Sequence, residues 1–408
     1  MTPRCRFCGA PLTEVFADLG MSPLSNSYVP AEKVGEAETF YPLCVFVCSA
    51  CLLVQLPEHE TASAIFTDYA YLSSYSSSWL AHAENLAQRM VKELALGPNA
   101  SVIELASNDG YLLQFFAAAG VPILGVEPAA NVAAIASERG IPTEVAFFGR
   151  ECAQDLVQRY EVPRLIVAIN VLAHVPDLND FVAGIAALAG DDTLVVVEFP
   201  HLLRLMAERQ FDTIYHEHFS YFSLFVVQRV FRAHGLAVFD VEELETHGGS
   251  LRVFARRSND EARSEQMDEL LAREISAGLT DLATYREFSD SVVEVKCSLL
   301  QFLIDVRGRG QSIAGYGAPA KGNTLLNYCG IGPELLPFTV DRNPLKQGTF
   351  LPGSRIPVLA PSEIARSKPD FVLILPWNLR DEIMQQLAEV RSWGGKFVVP
   401  IPQVSVLT

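Results

Sequence analysis

No apolar run in this 408-residue sequence reaches the roughly 18–20 residues that span a bilayer; "TLVVVEF" and "FVLIL" are of strand length. Basic residues are short as well: 31 Lys and Arg face 48 Asp and Glu, a formal net charge of −17. Nucleic-acid binding normally leaves a basic footprint, so no such partner is expected, and any phosphate has to be met by a local feature. The opening "MTPRCRFCGAP" lacks the basic and then apolar blocks of a secretory signal, which predicts a cytoplasmic protein without a membrane partner. In that compartment the eight cysteines are not expected to form a disulfide framework, and their spacing needs another explanation.

That spacing is Cys5-Arg-Phe-Cys8 and, after 39 intervening residues, Cys48-Ser-Ala-Cys51. Each C-x-x-C makes a tight turn that aims two thiolates at one ion, and two such pairs suit tetrahedral zinc. A redox dithiol needs one pair only, commonly at a helix start after a strand, whereas both pairs here flank a strand-rich segment. Cys44, on the alternating strand "YPLCVFVC", is expected to pack rather than ligate. Four protein ligands leave no open position, so Cys5, Cys8, Cys48 and Cys51 are expected to hold the fold rather than react.

Half of the residues are hydrophobic, and a prior of about 100–200 residues per domain suggests two or three units. From about residue 72, strand and helix patterns alternate: "SVIEL", "GYLLQFFAAAG", "VPILGVEP", "NVAAIASERG", "RLIVAIN", "DFVAGIAALAG" and "DTLVVVEFP". This is the rhythm of a doubly wound parallel sheet. Its first strand-to-helix turn, Glu104-Leu-Ala-Ser-Asn108-Asp109-Gly110, lacks the G-x-G-x-x-G that brings backbone close to a pyrophosphate. A nucleoside without phosphates makes less demand, and Glu127, at the end of the next strand, can accept both ribose hydroxyls.

Six of the eight histidines fall between His174 and His247, two of them in Tyr215-His216-Glu217-His218-Phe219. Read as an extended segment, this motif puts both imidazoles on one face. Three readings stand: an acid–base site, a metal site completed by His174, His201 or His247, or core and surface histidines.

A polar helical stretch from about Ser258 to Val306 leads to a second α/β half, with "QSIAGYG" opening into "APAKGNTLLNYCG" and then "PFTVD", "FVLILP" and the helix "RDEIMQQLAEVRSWGG". Gly315-Tyr-Gly317-Ala-Pro-Ala-Lys321-Gly-Asn323 is a glycine-rich turn at a helix start, suited to a phosphate without the spacing of a P-loop. An NAD site is the competing reading; it would need an acidic residue about 20 positions on at a strand end, and Asp341 is the nearest candidate.

"ELASNDGYLL", "GVEP", "AFFG" and "NVLAHVPDL" resemble the S-adenosylmethionine-dependent methyltransferases. Together with the four cysteines, "YHEHFSYFS", "THGGSLRV" and "GYGAPAKGNTLLNYCGI", the whole chain resembles, in order, the C-methyltransferases of nucleotide-linked 4-keto deoxysugars in antibiotic sugar pathways. The resemblance implies an α/β protein with an N-terminal four-cysteine zinc-binding domain over residues 1–71, followed by two Rossmann-like α/β domains: a cofactor domain over 72–283 and a nucleotide-sugar domain over 284–408. It places Glu104, Ser107, Asn108 and Gly110 around the methionine moiety, Glu127 on the ribose, Phe148 against adenine and Asn170 near the methyl group, with Tyr71 and Ser74 closing over the methionine carboxylate. Ala106 departs from the pattern, which has glycine there.

C-methylation needs a carbanion equivalent, and a 4-keto group supplies one by acidifying the C3 proton. The resemblance implies His218 as the base, Glu217 as a residue tuning a histidine, Tyr215 or His174 as donor to the developing oxyanion, and Gly317, Lys321 and Asn323 on the nucleotide diphosphate. The implied partners are S-adenosylmethionine and a keto sugar on dTDP or another nucleoside diphosphate. N- or O-methylation of a sugar or other small molecule, and a zinc-containing non-catalytic binding module, are the alternatives. The nucleobase, C3 against C5 and the oligomeric state stay open.

Overall fold

The structure is a computed structural model that describes residues 2–66, 72–258 and 262–408. The N-terminal unit is an antiparallel sheet of β1 (Glu14–Ser22), β2 (Tyr41–Val47) and β3 (Val54–Gln55). Alternation in β2 buries Leu43, Val45 and Val47, and Cys44 lies on its opposite, half-buried face, outside the cysteine cluster.

The second unit contains β4 (Val102–Leu105), β5 (Ile123–Val126), β6 (Thr143–Glu144), β7 (Leu165–Ile169) and β8 (Leu194–Pro200), all parallel. Their near-continuous apolar runs follow from burial on both faces, since helices cover each side of a parallel sheet. After β8 the chain leaves the sheet, and β9 (Ser220–Tyr221) pairs back onto β3, Val54 opposite Tyr221. It then returns through β10 (Leu236–Leu244) and β11 (Ser250–Arg257), which add antiparallel strands in the order β10-β11-β8-β7-β4-β5-β6. The winding reverses between β4 and β7, and ligands bind outside the carboxyl ends of strands at such a point.

The helix Leu282–Gly308 links this unit to the third and packs on β1, with Phe288 stacked on Phe16 at a centroid distance of 4.5 Å. The third sheet runs β14-β13-β12-β15-β16-β17, from β12 (Ile313–Tyr316), β13 (Thr339–Val340), β14 (Val358–Leu359), β15 (Phe371–Ile374), β16 (Lys396–Val399) and an antiparallel β17 (Ser405–Leu407). Its winding reverses between β12 and β15, so the turns after Tyr316 and Ile374 lie side by side. The expected helix from Arg380 divides into an α-helix, Arg380–Gln386, and a 3-10 segment, Ala388–Trp393. Among the described residues no helix is long and apolar enough to cross a membrane.

Candidate active site

At the front of the chain the four thiol sulfurs lie within 4.8 Å of one another, with Cys5–Cys51 and Cys8–Cys48 separations of 3.5 Å. A tetrahedron with Zn–S bonds of about 2.3 Å has edges of about 3.8 Å, so this donor set fits one zinc ion with no position left for substrate. Gln55 donates through Nε2 to Cys5 Sγ at 3.2 Å, a contact that suits a thiolate. Among the described residues no other group of three or more His, Cys, Asp or Glu side chains could hold a metal, so the metal reading of the histidine motif has no ligand set.

The turn after β4 carries three left-handed residues, Ala106 at φ 56°, Asn108 at φ 50° and Gly110 at φ 78°. Gly110 suits this conformation and Asn108 tolerates it, whereas Ala106 carries a methyl group where glycine would be relaxed. Glu127 fixes the turn from the end of β5: one carboxylate oxygen accepts from Asn108 N and the other from Ala129 N, both at 2.9 Å. Each oxygen retains a lone pair, so the carboxylate can still accept two ribose hydroxyls. Burial raises its pKa, and it raises that of the fully buried Glu104 further, with the Tyr111 hydroxyl opposing.

Ser107 Oγ and Asn170 Oδ1 are buried without a partner among the described residues. Unpaired buried polar atoms are rare in native proteins, and these two flank the reversal between β4 and β7, as a polar ligand there requires. Phe148 is half-buried and edge-on to Phe181 at 5.5 Å. Ser74 donates to Asp109, which Arg139 also holds at 3.0 Å, and Ser73 N donates to Asn108 Oδ1 at 2.8 Å. Tyr71 lies outside the described residues.

The histidine motif is a turn rather than a strand, closed by His218 N donating to Tyr215 O at 2.9 Å. The two imidazoles therefore do not share a face. His216 turns towards the N-terminal unit, against Tyr41 and His59, and donates through Nε2 to Pro42 O at 3.2 Å. His218 turns to the carboxyl edge of the parallel sheet, 4.7 Å from the His174 ring and 4.0 Å from that of Tyr215. Each of these two histidines meets a carbonyl through Nδ1: His218 that of Thr213 and His174 that of Glu217, both at 2.8 Å. A carbonyl only accepts, so Nδ1 carries the hydrogen and Nε2 of each neutral ring carries a lone pair. Burial keeps both rings neutral, lowering His174 to about 4 and His218 well below its usual range. The Glu217 side chain reaches neither ring's Nδ1; it accepts from Asn26 of the N-terminal unit at 2.5 Å.

The third unit packs against the segment that leads into this turn. Thr324 donates to Ile214 O at 2.9 Å, and Trp377 Nε1 donates to the buried Asp212 at 2.7 Å. Lys321 lies over the Trp377 ring at 4.6 Å, donates to Asn378 at 2.9 Å, and its charge helps lower the pKa of both His218 and His247. Asn323 holds Ser25 O at 2.6 Å. Gly317, at φ 89°, lets the turn press on Pro376, where a Cβ would stand 2.5 Å from the ring. Asp341, after β13, accepts from Ala318 N at 2.7 Å, as Glu127 accepts from Asn108 N.

The sequence does not single out Asp212, Trp377 or Asn26. The sequence signal available for them was only a polar or aromatic residue beside a strand end, because their partners come from other units of the chain.

Comparison with known proteins agrees with this three-part plan. Residues 5–66 match a family described as "Putative zinc binding domain", residues 79–241 a "Methyltransferase domain" and residues 245–402 a "C-methyltransferase C-terminal domain". Cysteine cluster, wound sheet and C-terminal unit thus define a C-methyltransferase. The chain is 38% identical to the C-methyltransferase NovU of Streptomyces niveus over 405 residues, 99% of this chain and 96% of NovU, and it belongs to that C-methyltransferase family. Among solved structures, the magnesium protoporphyrin IX methyltransferase of Synechocystis PCC 6803 with bound SAM is 15% identical, with a TM-score of 0.33 over 44% of this chain and 79% of that one. The YcgJ protein of Bacillus subtilis is 14% identical, with a TM-score of 0.36 over 44% of this chain and 99% of its own.

Proposed function

We propose that the protein transfers a methyl group from S-adenosylmethionine to C3 of a nucleotide-linked 4-keto-6-deoxysugar, through an enolate formed by His218. The observation that carries this reading is the His218 tautomer: with Nδ1–H committed to Thr213 O, Nε2 is a neutral, buried base at the carboxyl edge of the sheet. N- and O-methylation start from a nucleophile that already has a lone pair; carbon does not, and proton removal is what such a base adds.

S-adenosylmethionine, when bound, supplies an electrophilic methyl on a sulfonium. Glu127 would hold its ribose, and Ser107, Asn108 and Asn170, around the reversal of winding, would hold the methionine end. His218 Nε2 takes the C3 proton. Negative charge then develops on the C4 oxygen, and a donor aimed at it contributes roughly 3–4 kcal/mol in typical enzymes. The tautomer of His174 leaves a lone pair at Nε2, so of His174 and Tyr215 it is the phenol of Tyr215 that takes this role. The Lys321 ammonium adds positive charge on the same side, while the glycine turn before it meets the diphosphate.

The test is a panel of nucleotide-linked 4-keto sugars offered with methyl-labelled S-adenosylmethionine, the product read by NMR. A new methyl on C3 is the expected outcome. Label on oxygen or nitrogen, or none transferred to any keto sugar, contradicts the reading.

A further inference from the structure

The turn Thr246-His247-Gly248-Gly249 joins β10 to β11 and has three consecutive residues in the left-handed region, at φ 56°, 93° and 113°. Glycine occupies the last two, and both are forced: a Cβ on Gly248 would stand 2.6 Å from the Trp377 ring, and one on Gly249 would stand 2.8 Å from the Arg204 side chain. The first carries an imidazole, although a side chain is strained there and no close approach requires it.

The backbone around this imidazole is fixed from several sides. Gln210 Nε2 donates to Gly248 O at 2.7 Å, His201 N donates to Gly249 O at 3.0 Å, and the Thr246 hydroxyl donates to Glu198 at 3.3 Å. The ring itself stands edge-on to Trp79 at 4.8 Å. Trp79 stacks in turn on Tyr111, which belongs to the turn region of the cofactor pocket. The next residue, Gly248, abuts the Trp377 ring over which Lys321 lies at 4.6 Å, and the His247 charge would act on His218. His247 therefore lies between the cofactor wall and the proposed base, at the carboxyl edge of β8. Its Nε2 is buried and has no hydrogen-bond partner among the described residues. A buried nitrogen held in place without a protein partner is a position prepared for a ligand atom.

We infer that His247 is an acceptor-binding residue, whose Nε2 forms a hydrogen bond with a hydroxyl group of the carbonyl substrate and so sets the reacting carbon between the methyl donor and His218. This rests on the reading of the site given under Proposed function. Burial and the Lys321 charge keep the ring neutral, which lets the bond form without a charge to desolvate.

Three variants test it. His247→Gly suits the left-handed backbone and removes the nitrogen; it should keep the melting temperature and the S-adenosylmethionine dissociation constant, and raise the acceptor KM about tenfold, the usual effect of one lost hydrogen bond. His247→Asn, which tolerates the same backbone and keeps a polar group, should recover part of that loss. If the glycine variant melts early, His247→Phe, which keeps the ring against Trp79, takes its place. An unchanged acceptor KM, or an asparagine variant as impaired as the glycine one, overturns the inference. His218→Gln is measured beside them: if it stays active, the reading of the whole site fails, whereas an inactive His218→Gln beside an unchanged KM in His247→Gly removes only the role of His247.

Discussion

The guanidinium of Arg6 lies over the ring of Phe219 at 5.4 Å, and this contact joins the cysteine knuckle to the histidine turn. Arg6 stands between Cys5 and Cys8 and donates to Pro176 O at 3.0 Å, to Val175 O at 3.4 Å and to Leu56 O. Val175 and Pro176 follow His174, and Leu56 N donates to Phe219 O at 3.0 Å, so one side chain ties both histidine-bearing segments to the knuckle. Burial lowers its pKa to about 10, and it stays charged at neutral pH.

The first prediction concerns that connection. The purified protein should hold about one zinc per chain, and Cys48→Ser should cost soluble protein, because a structural zinc contributes on the order of 10 kcal/mol to folding. Arg6→Ala should retain the zinc, measured by metal analysis, and lower kcat more than it raises either Michaelis constant. Folded, active protein free of metal contradicts the structural role.

For the donor pocket, Glu127→Ala should weaken S-adenosylmethionine binding by roughly 1.5–3 kcal/mol, the range for hydrogen bonds to a charged group. It should also lower the melting temperature, since the carboxylate accepts from two backbone amides of the protein itself. Calorimetry reads the first effect and a thermal scan the second; an unchanged dissociation constant would put the ribose elsewhere.

The pH profile follows from the environment of His218. Its folded pKa lies below the ordinary 6.5, so the ring stays neutral until the pH falls under that value, and basic function is lost only on the acid side. The acid limb of kcat/KM, which reports the free enzyme, should therefore have its midpoint below 6.5. Lys321→Ala removes one of the charges that depress it, so the limb should move upwards while the acceptor KM rises and cofactor affinity stays. A limb at or above 6.5 in the unaltered protein contradicts the buried neutral base.

Much of the architecture is legible in the sequence, because strand and helix periods are local signals. β4, β5, β7, β8, β12, β13 and β15 fall where the apolar runs place them, as do the helices Leu113–Ala118, Ala130–Glu138 and Leu178–Leu188, and the C-x-x-C pairs name the cluster. The histidine motif reads differently: alternation suggests an extended segment, yet its hydrogen bonds close a turn whose partners lie at Pro42, Thr213 and Ala173. Contacts set by chain closure leave no periodic trace. The matching clamps of Glu127 on Asn108 and of Asp341 on Ala318 show the same limit, since two α/β units share a device without sharing residues.

The central claim is that His218 removes a proton from carbon before any methyl moves, and solvent exchange measures that step alone. In deuterated water, the protein given a nucleotide-linked 4-keto sugar and S-adenosylhomocysteine should wash deuterium into C3 without turnover. His218→Gln, which still binds both ligands, should lose this exchange and turnover together, by roughly 10²–10⁴-fold. Exchange or methyl transfer by His218→Gln at near the unaltered rate would contradict the account.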